Sequence, residues 1–380
     1  MIPSIKRALG NLLLVLVALA CTFAFCEFVV WFLYKNETVL FPRYHTDYRY
    51  GRYTIRGIRP NAEFWHTSID GSWKFVTNSK GFRNTVEFDY AKPPSVFRIL
   101  SLGDSHTQGY EVRQESTFSA VLERYLKQHK INAEVLNAGV SGFSTAEELV
   151  LLENEGLKYN PDVVVLGFFA NDFEDNLKAG LFGLDSQGQL TEEKYEHIPG
   201  VRIQNIIYSI PSVRWLSENS YFYSMLFNTV WNYFKARLGE AATQQVDTKG
   251  RPAAKGQDQF EYAVPTGTSL SEYQITLAAA LIERLHRFCE DRGIRLVVVD
   301  IPNRLGPYRF NSSLPVPLVE RLKAARIEFM GSESLLAGLD GAAEMHVPHG
   351  HNHISELAHT LIGIGIGQRL LTPRTSAAER

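Results

Sequence analysis

Three short apolar runs constrain this chain more than any other feature. Val96 to Leu102, Asp162-Val163-Val164-Val165-Leu166-Gly167 and Arg295-Leu296-Val297-Val298-Val299-Asp300-Ile301 read as strands, and the second is apolar almost throughout. Glu134-Val135-Leu136-Asn137 adds a shorter one. Between and after them lie helical patterns, from Thr117 to Gln128, Ala146 to Lys158, Leu270 to Arg292 and Glu356 to Leu371. A strand with two apolar faces must be covered on both, and strand–helix alternation implies crossover connections. The expected fold is therefore α/β, a mostly parallel sheet between helical layers.

The N-terminus obeys a different rule. Lys6 and Arg7 precede a run from Leu9 to Cys26 broken only by Gly10, Asn11 and Thr22, and after Glu27 the run resumes as far as Tyr34. As a helix, Leu9 to Leu33 would be roughly 37 Å long, enough to cross a bilayer core. No small-residue cleavage site is followed by polar sequence, so the segment reads as an uncleaved transmembrane anchor with Trp31 and Tyr34 in the interfacial belt. The expected division is a short tail at 1–7, an anchor at 8–34, a β-rich lead-in at 36–94 and a main domain at 95–372 with an insertion at 178–268. Lys6 and Arg7 favour a cytoplasmic N-terminus. The expectation is a single-pass protein of the inner (cell) membrane with its main domain on the periplasmic, extracytoplasmic side.

Composition narrows the function. The 39 Lys+Arg against 41 Asp+Glu leave a formal net charge of −2, which argues against a nucleic-acid partner that needs a basic face. Of the three cysteines, Cys21 and Cys26 lie in the anchor, so Cys289 has no partner for a disulfide in the main domain. In the lead-in, Tyr48-Arg49-Tyr50-Gly51-Arg52-Tyr53 and Trp73-Lys74-Phe75-Val76 read as short strands, with turns at Asp70-Gly71 and Lys80-Gly81. The insertion holds an aromatic helical segment, Tyr221 to Ala236, and a polar stretch from Gly239 to Gln259 that reads as an exposed loop.

The chemistry is concentrated where the first strand ends, in Gly103-Asp104-Ser105-His106-Thr107-Gln108-Gly109. Sites in open α/β sheets form outside the carboxyl ends of strands, which is where Ser105 falls. Asn137-Ala138-Gly139 and Gly167-Phe168-Phe169-Ala170-Asn171-Asp172 follow two other strands and should open on the same edge. A glycine N–H and an Asn amide can both donate to an oxyanion. Asp104 reads as a brace for its turn. For a base, the C-terminal end supplies His346, His349, His351, His353 and His359. The i, i+2, i+4 spacing of His349, His351 and His353 also permits a metal reading, but no carboxylate pattern accompanies it, and neither a metal nor a cofactor is expected. Gly363, Gly365 and Gly367 have no phosphate-loop spacing and read as allowing close packing of the last helix on the sheet.

These segments together resemble the SGNH/GDSL hydrolase family, in particular its membrane-anchored bacterial members. Gly103-Asp104-Ser105 is similar to the first block, Gly139 to the second and Gly167 through Asn171-Asp172 to the third; Asn78-Ser79-Lys80-Gly81-Phe82-Arg83 is similar to a lead-in segment. The resemblance implies a three-layer, flavodoxin-like fold. It implies Ser105 as nucleophile, and an oxyanion hole built from the Ser105 N–H, the Gly139 N–H and the Asn171 amide. His353-Ile354-Ser355-Glu356-Leu357-Ala358-His359 best fits the block carrying the catalytic histidine, which makes His353 the base. The family's Asp two or three places earlier is absent, since His351 and Gly350 stand there.

Three readings of that gap stay open. Ser105 and His353 act as a dyad, oriented by a backbone carbonyl or His351; or an acid from elsewhere, such as Glu344, Glu356 or Asp340, takes the place; or the fold persists without activity. The expected reaction is hydrolysis of an O-acyl or O-acetyl ester, on an envelope glycan or another small ester, through a Ser105 acyl-enzyme. The alternatives are an O-acyltransferase on envelope polysaccharide and a catalytically degenerate glycan-binding or assembly protein.

Overall fold

The computed structural model describes residues 2–243, 270–350 and 352–372. The apolar runs form one parallel sheet of five strands: β1 (Phe97–Gly103), β2 (Ala133–Asn137), β3 (Val163–Phe168), β4 (Arg295–Asp300) and a two-residue edge strand, β5 (Phe329–Met330). Their spatial order is β5-β4-β3-β1-β2. The chain moves outward from β1 to β2 and then returns to the other side of β1. The strand order therefore reverses between β1 and β3, and a crevice opens at their carboxyl ends.

Period-two alternation sends the two faces of each strand into separate cores. Ile99, Val135, Val163, Val165, Val297 and Val299 face one layer, while Leu100, Leu102, Leu136, Val164, Leu166 and Val298 face the other. The helices are α1 (Ile2–Tyr34), α2 (Phe118–Gln128), α3 (Thr145–Asn154), α4 (Asp172–Ala179), α5 (Tyr221–Thr243), α6 (Glu272–Glu290) and α7 (Glu356–Leu371), together with several shorter ones. The first layer holds α2 and α7, which pack on each other; the second holds α3, α4 and α6. This is the α/β architecture the alternation predicted.

Local expectations needed adjustment. The expected helix from Ala146 to Lys158 ends at Asn154 and resumes as a 3₁₀ turn, Gly156–Tyr159, because a glycine at that point weakens the α-helix. Tyr48 to Tyr53 is not one strand but the bend of a hairpin, His45–Tyr50 against Tyr53–Ile58, with Gly51 in the left-handed region at φ +59°. Two of the three glycines of α7 serve the neighbouring helix rather than the sheet: a Cβ on Gly363 would meet the Phe118 carbonyl at 2.7 Å and Val121 Cβ at 2.9 Å, and one on Gly367 would meet Tyr125, while Gly365 faces Leu335.

A second lead-in hairpin, Glu63–Ser68 with Gly71–Val76, reaches toward the carboxyl edge of the sheet, where Asp70 bonds both the N–H and Nδ1 of His349. From the insertion, Glu196–His197 pairs in parallel with Tyr53–Ile58. The polar stretch expected to be a loop lies mostly outside the described residues, apart from its first few, which continue α5.

Among the described residues one helix, Ile5–Tyr34 within α1, is long and apolar enough to cross a membrane. Glu27, the single acid of that run, accepts hydrogen bonds at the start of α5 from Ser220 Oγ (2.6 Å), the Tyr221 N–H (2.8 Å) and the Phe222 N–H (3.1 Å). A carboxylate there satisfies N–H groups that lack intrahelical acceptors and meets the positive end of the helix dipole. Phe23 packs edge-on to Phe222 and Val30 is buried, so the last turns of α1 lie against α5.

Candidate active site

Ser105 opens a one-turn helix, Ser105–Gln108, directly after β1. Asp104 caps that turn, its Oδ1 accepting from the His106 N–H at 2.8 Å. Ser105 and its neighbours are almost wholly buried, Ser105 being only 2% exposed.

His353 reaches Ser105 from the far end of the chain. Its Nε2 lies 2.8 Å from Ser105 Oγ and its Nδ1 2.6 Å from the Gly350 carbonyl oxygen. A carbonyl oxygen can only accept, so Nδ1 carries the proton and the Nε2 lone pair faces the serine hydroxyl. The backbone fixes the ring: the Val347 N–H donates to the His353 carbonyl (2.8 Å) and the His353 N–H to the Gly350 carbonyl (2.9 Å). Tyr110 and His106 place their rings 4.6 and 4.9 Å from the imidazole.

The acids suggested by sequence are engaged elsewhere. Glu356 forms a bidentate pair with Arg113, Glu344 accepts from the Tyr308 and His346 N–H groups, and Asp340 holds Arg309 and the Phe310 N–H. The Gly350 backbone carbonyl holds Nδ1 instead. His351 lies outside the described residues. The other histidines diverge. His346 Nε2 bonds the Pro302 carbonyl and His349 bonds Asp70, while His359 Nδ1 accepts from the Phe118 N–H, with burial pushing its pKa down to about 3. Among the described residues, no group of three or more His, Cys, Asp or Glu is placed to hold a metal.

Gly139 and Asn171 lie on the same edge as Ser105, but their donors are already engaged. The Gly139 N–H points at Asn137 Oδ1 (3.2 Å), and Asn171 Nδ2 donates to Asp104 Oδ2 (3.2 Å) and Asp175 Oδ2 (3.0 Å). The Asn171 amide is thus part of a buried carboxylate network, a setting that its place in a turn could not reveal. Ser105 begins its helix, where the first N–H groups have no intrahelical acceptor.

Beneath the serine lie Asp104, Asp172 and Glu148, all fully buried. Burial pushes Asp104 up to about 7, against hydrogen bonds from the His106 N–H and Asn171. Burial and mutual repulsion hold Asp172 and Glu148 well above the carboxylate range. Raised folded-state pKa values mean that the native protein keeps protons the unfolded chain releases, so this cluster loses stability as pH rises from about 4 upward, in the case of Asp104 as far as about 7. Glu148→Gln, which removes one charge and keeps the shape, is expected to melt higher than the parent at pH 8, with the difference closing toward pH 4 in thermal melts. A difference independent of pH would show that Glu148 carries no such charge burden.

Sequence reasoning passed over Tyr110, Glu111 and Asp70, which stand around His353 or its loop. Their only signal was closeness to the Gly-Asp-Ser segment, or a place in a turn of the lead-in.

A sequence model of the GDSL-like lipase/acylhydrolase family matches residues 101–304, just over half of the chain. An arylesterase of Vibrio mimicus is 32% identical over 75 residues, 20% of this chain, and the chain spans only 38% of that protein's length. Among solved structures, the lipase/acylhydrolase of Enterococcus faecalis aligns at 15% identity and a TM-score of 0.38, covering 72% of this chain and 94% of that one. An acetylxylan esterase of Geobacillus stearothermophilus, solved as a catalytic mutant, aligns at 10% identity and 0.39, covering 74% and 98%. On the strength of the family match, which takes in the Gly-Asp-Ser turn, Gly139 and Asn171, this chain belongs to the GDSL-like lipase/acylhydrolase family.

Proposed function

We propose that this protein is a serine esterase that removes small acyl groups, with Ser105 as nucleophile and His353 as base and then acid. The observation that carries the reading is the relay from Ser105 Oγ to His353 Nε2 at 2.8 Å and from His353 Nδ1 to the Gly350 carbonyl at 2.6 Å. His353 takes the serine proton as Oγ attacks the ester carbonyl carbon. The oxyanion draws the Ser105 N–H, with the Gly139 N–H and one Asn171 N–H turning to it from their present acceptors. Collapse expels the alcohol, which takes the proton from His353, and water then cleaves the acyl-enzyme by the same steps. The serine supplies the nucleophile, so the cycle calls on no metal or cofactor.

The depth of Ser105 favours a compact acyl group such as acetyl. The apolar run of α1, with Lys6 and Arg7 in its first turns, supports an inner-membrane protein working on the extracytoplasmic side, where O-acetylated envelope glycans are the substrate class within reach.

The test uses the full chain in mild detergent with p-nitrophenyl acetate, butyrate and octanoate, beside Ser105→Ala. The acetate is expected to exceed the octanoate by about tenfold or more in kcat/KM, as a closed pocket penalises extra methylenes. Acetate release from an O-acetylated polysaccharide would extend the result to the substrate class. Failure to turn over any of these esters, or turnover that survives Ser105→Ala, sinks the proposal. Transfer to an added alcohol in preference to water would instead identify an acyltransferase.

A further inference from the structure

We infer that Glu111 stands in for the acid missing ahead of His353, as a positioning residue that orients and charges that histidine from the turn after Ser105; the inference rests on the Ser105–His353 reading above. Gly350 stands three places before His353, where the family's Asp was expected, and its carbonyl holds Nδ1. A Cβ built on Gly350 would run into Glu111 Oε2, so the Glu111 carboxylate already fills the space that the first atoms of an acid at 350 would take. That Cβ would also meet Val347 Cβ at 2.6 Å, so the pocket beside Gly350 is closed by Val347 as well as by Glu111.

Glu111 is held there at a cost. Its backbone lies in the left-handed region at φ +58°, which a non-glycine residue enters only under constraint. The constraint is Arg83, a buried guanidinium that donates to the carbonyls of Gln108, Gly109 and Val112 and so clamps the turn on both sides of Glu111. The carboxylate is only 4% exposed, and Oε2 has no hydrogen-bond partner among the described residues. A buried carboxylate with an unmet oxygen is unfavourable, and a strained backbone that holds it against the histidine loop points to use rather than packing.

Several charged or titratable groups face it. From the hairpin Glu63–Val76 come His66, with Nε2 3.9 Å from Oε1, Ser68, which hydrogen-bonds to it, and Asp70; from the histidine loop comes His349. Arg83 lies behind the turn. Burial, with Asp70 adding to it and Ser68 and His349 opposing, pushes Glu111 up to about 7.

The test reads Ser105 directly, through the rate at which an alkyl fluorophosphonate labels the full-length protein in detergent. In that reaction Oγ bonds to phosphorus, fluoride leaves and His353 Nε2 takes the proton. Labelling of wild type but not of Ser105→Ala establishes the underlying reading; its failure there overturns both. Glu111→Gln is expected to label about 100-fold more slowly. If both His353 and Glu111 must be deprotonated, the acid limb of the wild-type pH–rate profile has a slope of about two, and Glu111→Gln reduces it to about one. A Glu111→Gln rate within about threefold of wild type, or a slope that stays near two, overturns the inference.

Discussion

Ser105→Ala is expected to lower kcat/KM for p-nitrophenyl acetate by about 10⁴-fold or more, the scale on which nucleophile and base act as one unit. His353→Ala should cost nearly as much, because without Nε2 at 2.8 Å nothing takes the serine proton. The double variant should be no slower than either single one, since each already dismantles the same relay. Steady-state kinetics on the three proteins, with unchanged melting temperatures as the folding control, checks this. If the two single losses multiply in the double variant, Ser105 and His353 act independently and the relay is not the mechanism.

Gly139→Ala is expected to cost roughly 100-fold in rate without touching a reacting atom. A Cβ on Gly139 would lie 2.7 Å from Thr107 C and 2.9 Å from Gln108 Cα, and closer still to Gln108 N. All three are backbone atoms of the one-turn helix that Ser105 begins, so no side chain can swing aside to make room. Relief requires that helix to move away from the end of β2, carrying Ser105 out of line with His353. A misplacement of about 1 Å costs roughly 100-fold in rate, and the overpacking about 1–3 kcal/mol in stability. Kinetics and thermal melts of the same sample separate the two effects. A rate within about tenfold of wild type would show that the turn yields without moving Ser105.

Much of the fold was legible because its signals are local. The runs around Ile99, Val164 and Val298 alternate between two cores at a period of two, and their β-branched residues suit strands buried on both sides. Helix α7 matched its expected limits because Ser355 caps it and its apolar residues recur on one face. The two-residue strand β5 escaped notice, being too short for any period, and the hairpin bend at Gly51 was concealed by strand-forming tyrosines on either side.

The candidate site divides along the same line. Sequence by itself placed Ser105, Gly139 and Asn171 on one edge of a parallel sheet, because the carboxyl ends of parallel strands must face the same way. It also singled out the N-terminal apolar run and showed that an Asp was missing before His353. Tertiary structure alone decided what surrounds that histidine: a Gly350 carbonyl on Nδ1, Asp70 of the lead-in on the loop beside it, and Glu111 in the space beside Gly350. It also turned the Asn171 amide toward Asp104 and Asp175, and gave Glu27 a helix to cap. Periodicity and motif spacing report backbone geometry over a few residues, whereas these contacts join segments far apart in the chain and depend on packing that no local pattern encodes.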